Sequence, residues 1–421
     1  MRGTIKFVDR RTGRWGIISV DGNRRNDVHF KIEDFVGKQP IGNDAGKEVE
    51  FELDVRGGRS ARKISLIENV SASAVPATSL PTSVPLPLGL SEALKQWAYV
   101  PFTPITMWGV DYSSALDYLA KLALREKWHF GESPDTKNPY PILESYLSFT
   151  FFKLKSDSLV KEVVDNNGNR WATFNTGLVD KLYDPIYALF RGQKSPPWAF
   201  VDFCVPGKGD SGRRLTENFD PLPSHAKYFD KSFELVLDTS KEIYVDYQHV
   251  IVDGVARGRF PDAFLEEHVP KGFAWEDLHG KGSSERRSFL ETLSVAIEND
   301  AQCMRRIKRR LEDAKLLAEK RVRWNFKTAV PIYNPRFNSL SLLLPLPLLS
   351  DEIVDISLVV TKNASGSYQG RTVFPLTWAY RNARLVCRPD SDWLTPETIL
   401  VPERGEEELD EVEPDTAESN E

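Results

Sequence analysis

Gly3-Thr4-Ile5-Lys6-Phe7, Gly13-Arg14-Trp15-Gly16-Ile17-Ile18, Asp27-Val28-His29-Phe30 and Gly46-Lys47-Glu48-Val49-Glu50-Phe51 are short runs rich in β-branched and aromatic residues, with turn residues between them. Such runs suit a pleated, half-buried surface and read as strands. With Ala61 to Leu66 they give five strands, Gly3 to Val8, Trp15 to Val20, Asp27 to Phe30, Glu48 to Val55 and Ala61 to Leu66. That number and spacing predict a small closed barrel over residues 1–68. Strand side chains alternate between faces, and rings on a strand face stack on unpaired bases at about 1 to 3 kcal/mol each. Phe7, Trp15, His29 and Phe30 are the expected stacking residues. Lys6 and Arg14, with Lys31 beside them, are the expected phosphate contacts.

In this order and spacing the four quoted runs resemble a cold-shock domain, an OB-fold barrel. The resemblance spans the first domain and implies binding of single-stranded RNA or DNA, RNA above all. Three positions depart from the family pattern: Ile17 and Val8 stand where rings are usual, and Asp27 lies near a usually aromatic position. A carboxylate beside a stacking surface repels phosphate, so weaker and more selective binding is expected. A barrel kept for docking another protein is the other reading of the same strands.

Charge supports a local site. The chain carries 55 basic and 61 acidic residues, a net charge of −6, which excludes coating of nucleic acid by bulk charge. Residues 1–70 run the other way, with fourteen basic against eleven acidic side chains. At 421 residues the chain is too long for one hydrophobic core. Cys204, Cys303 and Cys387 lie far apart with no ligand spacing, so reduced core thiols are expected, without disulfide or metal site. No apolar leader and no run long enough to span a bilayer is present, which predicts a cytoplasmic protein without a membrane partner. No cofactor is indicated.

Residues 69–90 are rich in Pro, Ser, Ala and Thr and read as a semi-stiff linker. Residues 91–400 read as a larger α+β domain with a mixed, mainly antiparallel sheet and one long helix. A helix is expected over Ser114 to Trp128, where Leu116, Leu119 and Leu122 recur behind a serine cap. Strands are expected at Arg170 to Leu178, Trp198 to Val205, Phe233 to Leu237, Glu242 to Val252, Ser339 to Leu349, Ile356 to Lys362 and Thr372 to Val386. Pro345 and Pro347 suggest that the strand holding them is an edge or is bulged. From Glu285 to Trp324 there is neither Pro nor Gly and the apolar spacing is helical, predicting one helix. Its basic face reads as solvated, and the helix is the expected route to a protein partner or homo-oligomer. Residues 401–421 read as a disordered acidic tail.

Residues from about 95 to 395 resemble a bacterial family, domain of unknown function 3825, often found beside LOTUS-type and other RNA-binding modules. The residues carrying the resemblance are Phe174-Asn175-Thr176-Gly177-Leu178, Ile186 to Phe190, His249, Arg257-Gly258-Arg259-Phe260-Pro261, Thr372-Val373-Phe374 and Ala379 to Leu385. It implies an RNA-related context and no set reaction. Phosphate-loop, dinucleotide, zinc-protease and serine-hydrolase signatures are missing from the chain. Asn175, Thr176 and Asp202 interrupt apolar strands and need partners, because an unpaired buried polar group costs several kcal/mol by typical estimates of about 2 to 7. One hypothesis gathers them into a pocket in which Arg257, Arg259, Arg381 and Arg384 bind phosphate and His249 is general acid or base. The other makes His249 a core residue and the arginines structural ion pairs. His129, His268 and His279 sit in polar, loop-like contexts and are assigned no role. Three functions follow: a single-stranded nucleic-acid binder of bacterial RNA metabolism or defence whose large domain binds or processes the strand, a hydrolase or transferase on RNA ends or nucleotides, and a non-catalytic scaffold.

Overall fold

The structure, a computed structural model, describes residues 2–8, 15–19, 27–31, 34–35, 48–54, 60–66, 92–101, 103–136, 138–335 and 338–399. The expected linker, the acidic tail and Arg14 lie outside the described residues. The chain divides into two compact units, Met1–Ser83 and Val84–Glu421.

In the small unit, β1 (Arg2–Val8), β2 (Trp15–Ser19), β3 (Val28–Lys31), β4 (Glu48–Asp54) and β5 (Ser60–Leu66) pair in the order β1-β2-β3-β5-β4. β4 also pairs with β1, antiparallel, through Arg2 opposite Glu50 and Thr4 opposite Glu48. The β3–β5 pairing is parallel and the other ladders are antiparallel. Ile5, Ile18, Val28, Phe30, Phe35, Val49, Phe51, Ala61 and Ile64 form the core between the strands. Along β3 burial alternates, with Val28 and Phe30 inside and His29 and Lys31 outside. Phe30 is 2% exposed and meets Phe35 edge-on at 5.4 Å between ring centres. Its expected role in base stacking is therefore corrected: neighbouring residues of one strand point to opposite faces, and the histidine takes the outer one.

The large unit opens with α1 (Ala93–Trp97), β6 (Ala98–Tyr99), a hairpin of β7 (Ile105–Met107) and β8 (Val110–Tyr112), then α2 (Ala115–Leu122) and α3 (Pro141–Ser156). Its first sheet comprises β9 (Lys161–Val164), β10 (Arg170–Val179), β11 (Pro185–Gly192) and β12 (Trp198–Cys204), in the order β6-β12-β11-β10-β9. Trp97 packs against Phe151, Phe190 and Trp198 at ring-centre distances of 4.8, 5.0 and 5.6 Å, placing an aromatic core between this sheet and α3. α4 (Gly209–Asn218) covers the other side through Leu215, which is buried with Trp171, Tyr187 and Leu189.

The second sheet holds β13 (Ile243–Val245), β14 (Val330–Asn334), β15 (Ser339–Leu346), β16 (Ile356–Lys362) and β17 (Tyr368–Pro375), in the order β13-β17-β16-β15-β14. Helices α5 (Tyr247–Ala256), α7 (Ser283–Asn299) and α8 (Ala301–Trp324) share its core through Val250, Leu293, Ile307 and Leu311. In each sheet one ladder is parallel, β12–β6 and β13–β17, and the rest are antiparallel. The α+β class with mixed, mainly antiparallel pairing stands.

Several elements differ from expectation, each for a local reason. The long helix is two helices, because Asp300 adopts extended backbone and its carboxylate accepts the Gln302 and Cys303 N–H groups at 2.9 and 3.1 Å. That is a helix start, and caps of this kind contribute about 1 kcal/mol. The strand expected over Glu242 to Val252 stops at Val245, where the Asp246 side chain caps α5. Phe233 falls in a 3₁₀ turn, Ser232–Leu235. The run from Thr372 to Val386 is strand only to Pro375, which caps the helix α9 (Leu376–Val386). α2 begins behind Ser114 as expected and ends at Leu122, short of Trp128. β15 is an inner strand, not an edge. Pro345 is tolerated there because the ladder with β14 covers Ser339 to Leu343 only, so no donor is required of Pro345 on that side.

Candidate functional site

On the small unit the candidate nucleic-acid surface is the outer face of β2 and β3. The register sets Ile17 opposite His29 and Trp15 opposite Lys31. His29 and Lys31 are exposed and Ile17 and Ser19 half-buried. β5 continues the surface, pairing Ser60 with His29 and exposing Arg62 and Lys63. The Lys31 N–H donates to Asp34 Oδ2 at 3.3 Å, tying the end of β3 to the next turn. The side chains of Lys6, Phe7 and Trp15 lie outside the described residues.

In the large unit the expected four-arginine pocket resolves into structural ion pairs. Arg257 Nε lies 2.6 Å from Asp253 Oδ1, and Arg259 Nη1 donates to Asp253 Oδ2 at 2.8 Å and to the Thr372 hydroxyl. Arg259 is 3% exposed. Arg384 donates to Glu126 through Nε at 2.5 Å and Nη2 at 2.8 Å. Its guanidinium lies 5.0 Å from the Trp128 ring centre and 4.6 Å from that of Tyr146. Arg381 lies over Phe130 at 5.6 Å. Carboxylates inside the fold thus occupy Arg257, Arg259 and Arg384, and their assignment as phosphate ligands is corrected. His249 is half-buried in the first turn of α5, where its backbone N–H donates to Asp246 Oδ1 at 3.1 Å. None of the described contacts joins His249 to an arginine of the set.

Asn175 and Thr176 are likewise accounted for within their own strand. The Asn175 side-chain oxygen accepts the Gly177 N–H at 2.9 Å, and Thr176 Oγ1 donates to the Ile186 carbonyl at 2.7 Å while accepting the Leu178 N–H. These bonds stabilise a bulge at which Gly177 takes φ +74°, a left-handed conformation that favours glycine. A Cβ there would lie 2.5 Å from the Tyr146 hydroxyl. The polar residues that interrupt β10 shape the strand and do not line a pocket with His249.

Asp202 is different. It is 1% exposed, and its Oδ1 has no hydrogen-bond partner among the described residues. Desolvation pushes its carboxyl above the usual carboxylate range, against hydrogen bonds from Ser211, Tyr118, the Phe203 backbone and Trp108. Trp108 sits at the tip of the β7–β8 hairpin with φ +56° and lies against Gly209 at the start of α4. Among the described residues no group of three His, Cys, Asp or Glu side chains is placed to hold a metal, and no helix is long and apolar enough to cross a membrane.

Two outcomes follow. Glu126→Gln leaves the Arg384 charge buried without its counter-charge, which is expected to cost about 3 to 5 kcal/mol in urea denaturation. Glu126→Met with Arg384→Met should recover most of that loss, and a Glu126→Gln protein as stable as the parent would contradict the pairing. For Asp202, a raised pKa in the fold means that the native state holds the proton more tightly than the unfolded chain. Stability from this group is full below the ordinary carboxylate value and falls as pH rises toward the raised one, by about 1.4 kcal/mol for each tenfold difference in proton affinity. Asp202→Asn should therefore raise the melting temperature more at pH 7.5 than at pH 3.5, and equal effects at both would contradict the burial argument.

No curated protein matches this chain. The sequence model of the family described as Domain of unknown function (DUF3825) matches residues 119–393, from within α2 to Trp393 beyond α9 and well over half of the chain. The chain therefore belongs to the DUF3825 family, whose matched region takes in both sheets of the large unit except the short strand β6.

Proposed function

We propose that the small unit is a cold-shock-type OB barrel that captures single-stranded nucleic acid, RNA in the first place, and that the large unit acts on or holds the same kind of ligand. The observation carrying this reading is the outward pair His29 and Lys31, set across the ladder from Ile17 and Trp15. The pairing order β1-β2-β3-β5-β4, with β4 returning to β1, supports the barrel. An imidazole beside a flat apolar patch offers stacking to an unpaired base, and Lys31, Arg62 and Lys63 supply charge for the phosphates that follow it. Every base has a π-face, so such a surface selects single strands over sequence.

Fluorescence anisotropy with a labelled ten-nucleotide RNA tests the reading. Trp15→Ala and His29→Ala should each weaken binding by about 1 to 3 kcal/mol. Lys31→Ala should lower the slope of log affinity against log salt by about 0.7. Phe30→Ala should instead destabilise the small unit by about 3 to 5 kcal/mol, because a core ring is lost. Affinity unchanged in both Trp15→Ala and His29→Ala would overturn the strand face as the binding surface.

A further inference from the structure

Residues 124–131 form neither helix nor strand, yet their backbone is pinned at three points. The Leu124 N–H donates to Val179 O at 2.8 Å, the Ile142 N–H to Trp128 O at 3.1 Å and the Gly131 N–H to Pro396 O at 2.9 Å. This holds one wall of an open groove of about 790 Å³, with Lys121, Arg125, Lys127, Trp128, His129 and Arg388 along its sides. The volume falls within the roughly 300 to 1,000 Å³ usual for small-ligand sites.

The charges of the groove do not cancel. Glu126 and Glu397 also line it, but Glu126 is taken by Arg384, and Glu397 lies 3.8 Å from Lys127. Lys121 is bound to Asp117 at 2.9 Å. Against its desolvation, Asp117 is held below the usual carboxylate range by hydrogen bonds from Tyr140, the Ser113 N–H and Lys121. Arg125 and Arg388, both exposed, have no carboxylate partner among the described residues. Surplus surface arginines alone would be solvated cations. A second feature makes the groove a site: Trp128 is 3% exposed, and its indole Nε1–H has no hydrogen-bond partner among the described residues. A buried donor left without an acceptor costs about 1 to 3 kcal/mol. A bound acceptor would remove that cost.

Two guanidiniums and a neutral N–H donor suit a dianionic group with several acceptor oxygens. We propose that this groove binds a phosphomonoester, the terminal phosphate of a nucleotide or of an RNA end, through Arg125, Arg388 and the Trp128 indole N–H. Arg384 does not touch the ligand; it holds Trp128 and Glu126 from behind. The site belongs to the large unit and is independent of the strand-face reading.

Calorimetric titration of the full-length chain with adenosine 5′-monophosphate, and with adenosine as the unphosphorylated control, tests this. Adenosine should bind at least about tenfold more weakly. Arg125→Ala with Arg388→Ala should reduce nucleotide affinity at least about tenfold, as loss of charge-assisted contacts implies. Trp128→Phe, which keeps the ring and removes the donor, should reduce it several-fold, about the worth of one hydrogen bond. His29→Ala with Lys31→Ala should change nothing, which separates this site from the strand face. In that double-variant background, a 5′-phosphorylated RNA decamer binding more tightly than the mononucleotide assigns the site to RNA ends, and equal binding assigns it to free nucleotides. Equal affinity for adenosine and its monophosphate, or unchanged affinity in an Arg125→Ala, Arg388→Ala protein that melts like the parent, would overturn the proposal.

Discussion

The paired charges of Arg384 and Glu126, each side chain less than a tenth exposed, set the geometry of the large unit's candidate ligand groove. Two ions removed from water are costly unless hydrogen bonds and aligned geometry compensate. Here the guanidinium meets the carboxylate with two donors and lies over the rings of Trp128 and Tyr146. One residue from α9 thereby fixes an irregular segment and a residue of α3, and desolvation strengthens every electrostatic contact within that cluster. Glu126 is removed from the charge balance of the groove, and the Trp128 ring is held with its N–H unanswered among the described residues.

A comparable constraint governs the small unit. Two-residue periodicity along β3 gives Val28 and Phe30 to the core and His29 and Lys31 to the outer face. Bulk and aromaticity do not decide which ring meets a base; the parity of the position does. Phe30 is spent on contact with Phe35, and the polar pair is what remains for a ligand. Lys31 lies outside on β3, and the exposed Arg62 and Lys63 lie on β5, the strand paired with it.

Much of the fold was legible in the residues, and the misses share a cause. The five short strands of the small unit and the strands around Phe174, Phe190 and Phe203 were readable because alternation and β-branching dominate those runs. Where a strand turned into a helix, at Asp246 and at Pro375, apolar density continued across the boundary, and only the cap residue signalled the change. Asp300 ended one helix and began the next inside a stretch without Pro or Gly for the same reason. The candidate site was less legible. Arg257, Arg259 and Arg384 carried the expected chemistry, but their carboxylate partners include Glu126, which is 258 residues from Arg384 in sequence. Arg125 and Arg388 are equally distant from each other, so nothing local marks them as neighbours. The nearest local hint was Arg125 to His129, where three cations or potential cations flank a tryptophan on a segment with no apolar periodicity.

The central claim is that the strand face of the small unit is where unpaired bases lie. Photocrosslinking with a 4-thiouridine-substituted single-stranded RNA, followed by mass spectrometry of the adducts, addresses it without mutation. The account predicts adducts concentrated in the peptide spanning β2 and β3, with His29 among the modified residues and Phe30 absent. Adducts confined to residues 92–399, with none in β2 or β3, would contradict it.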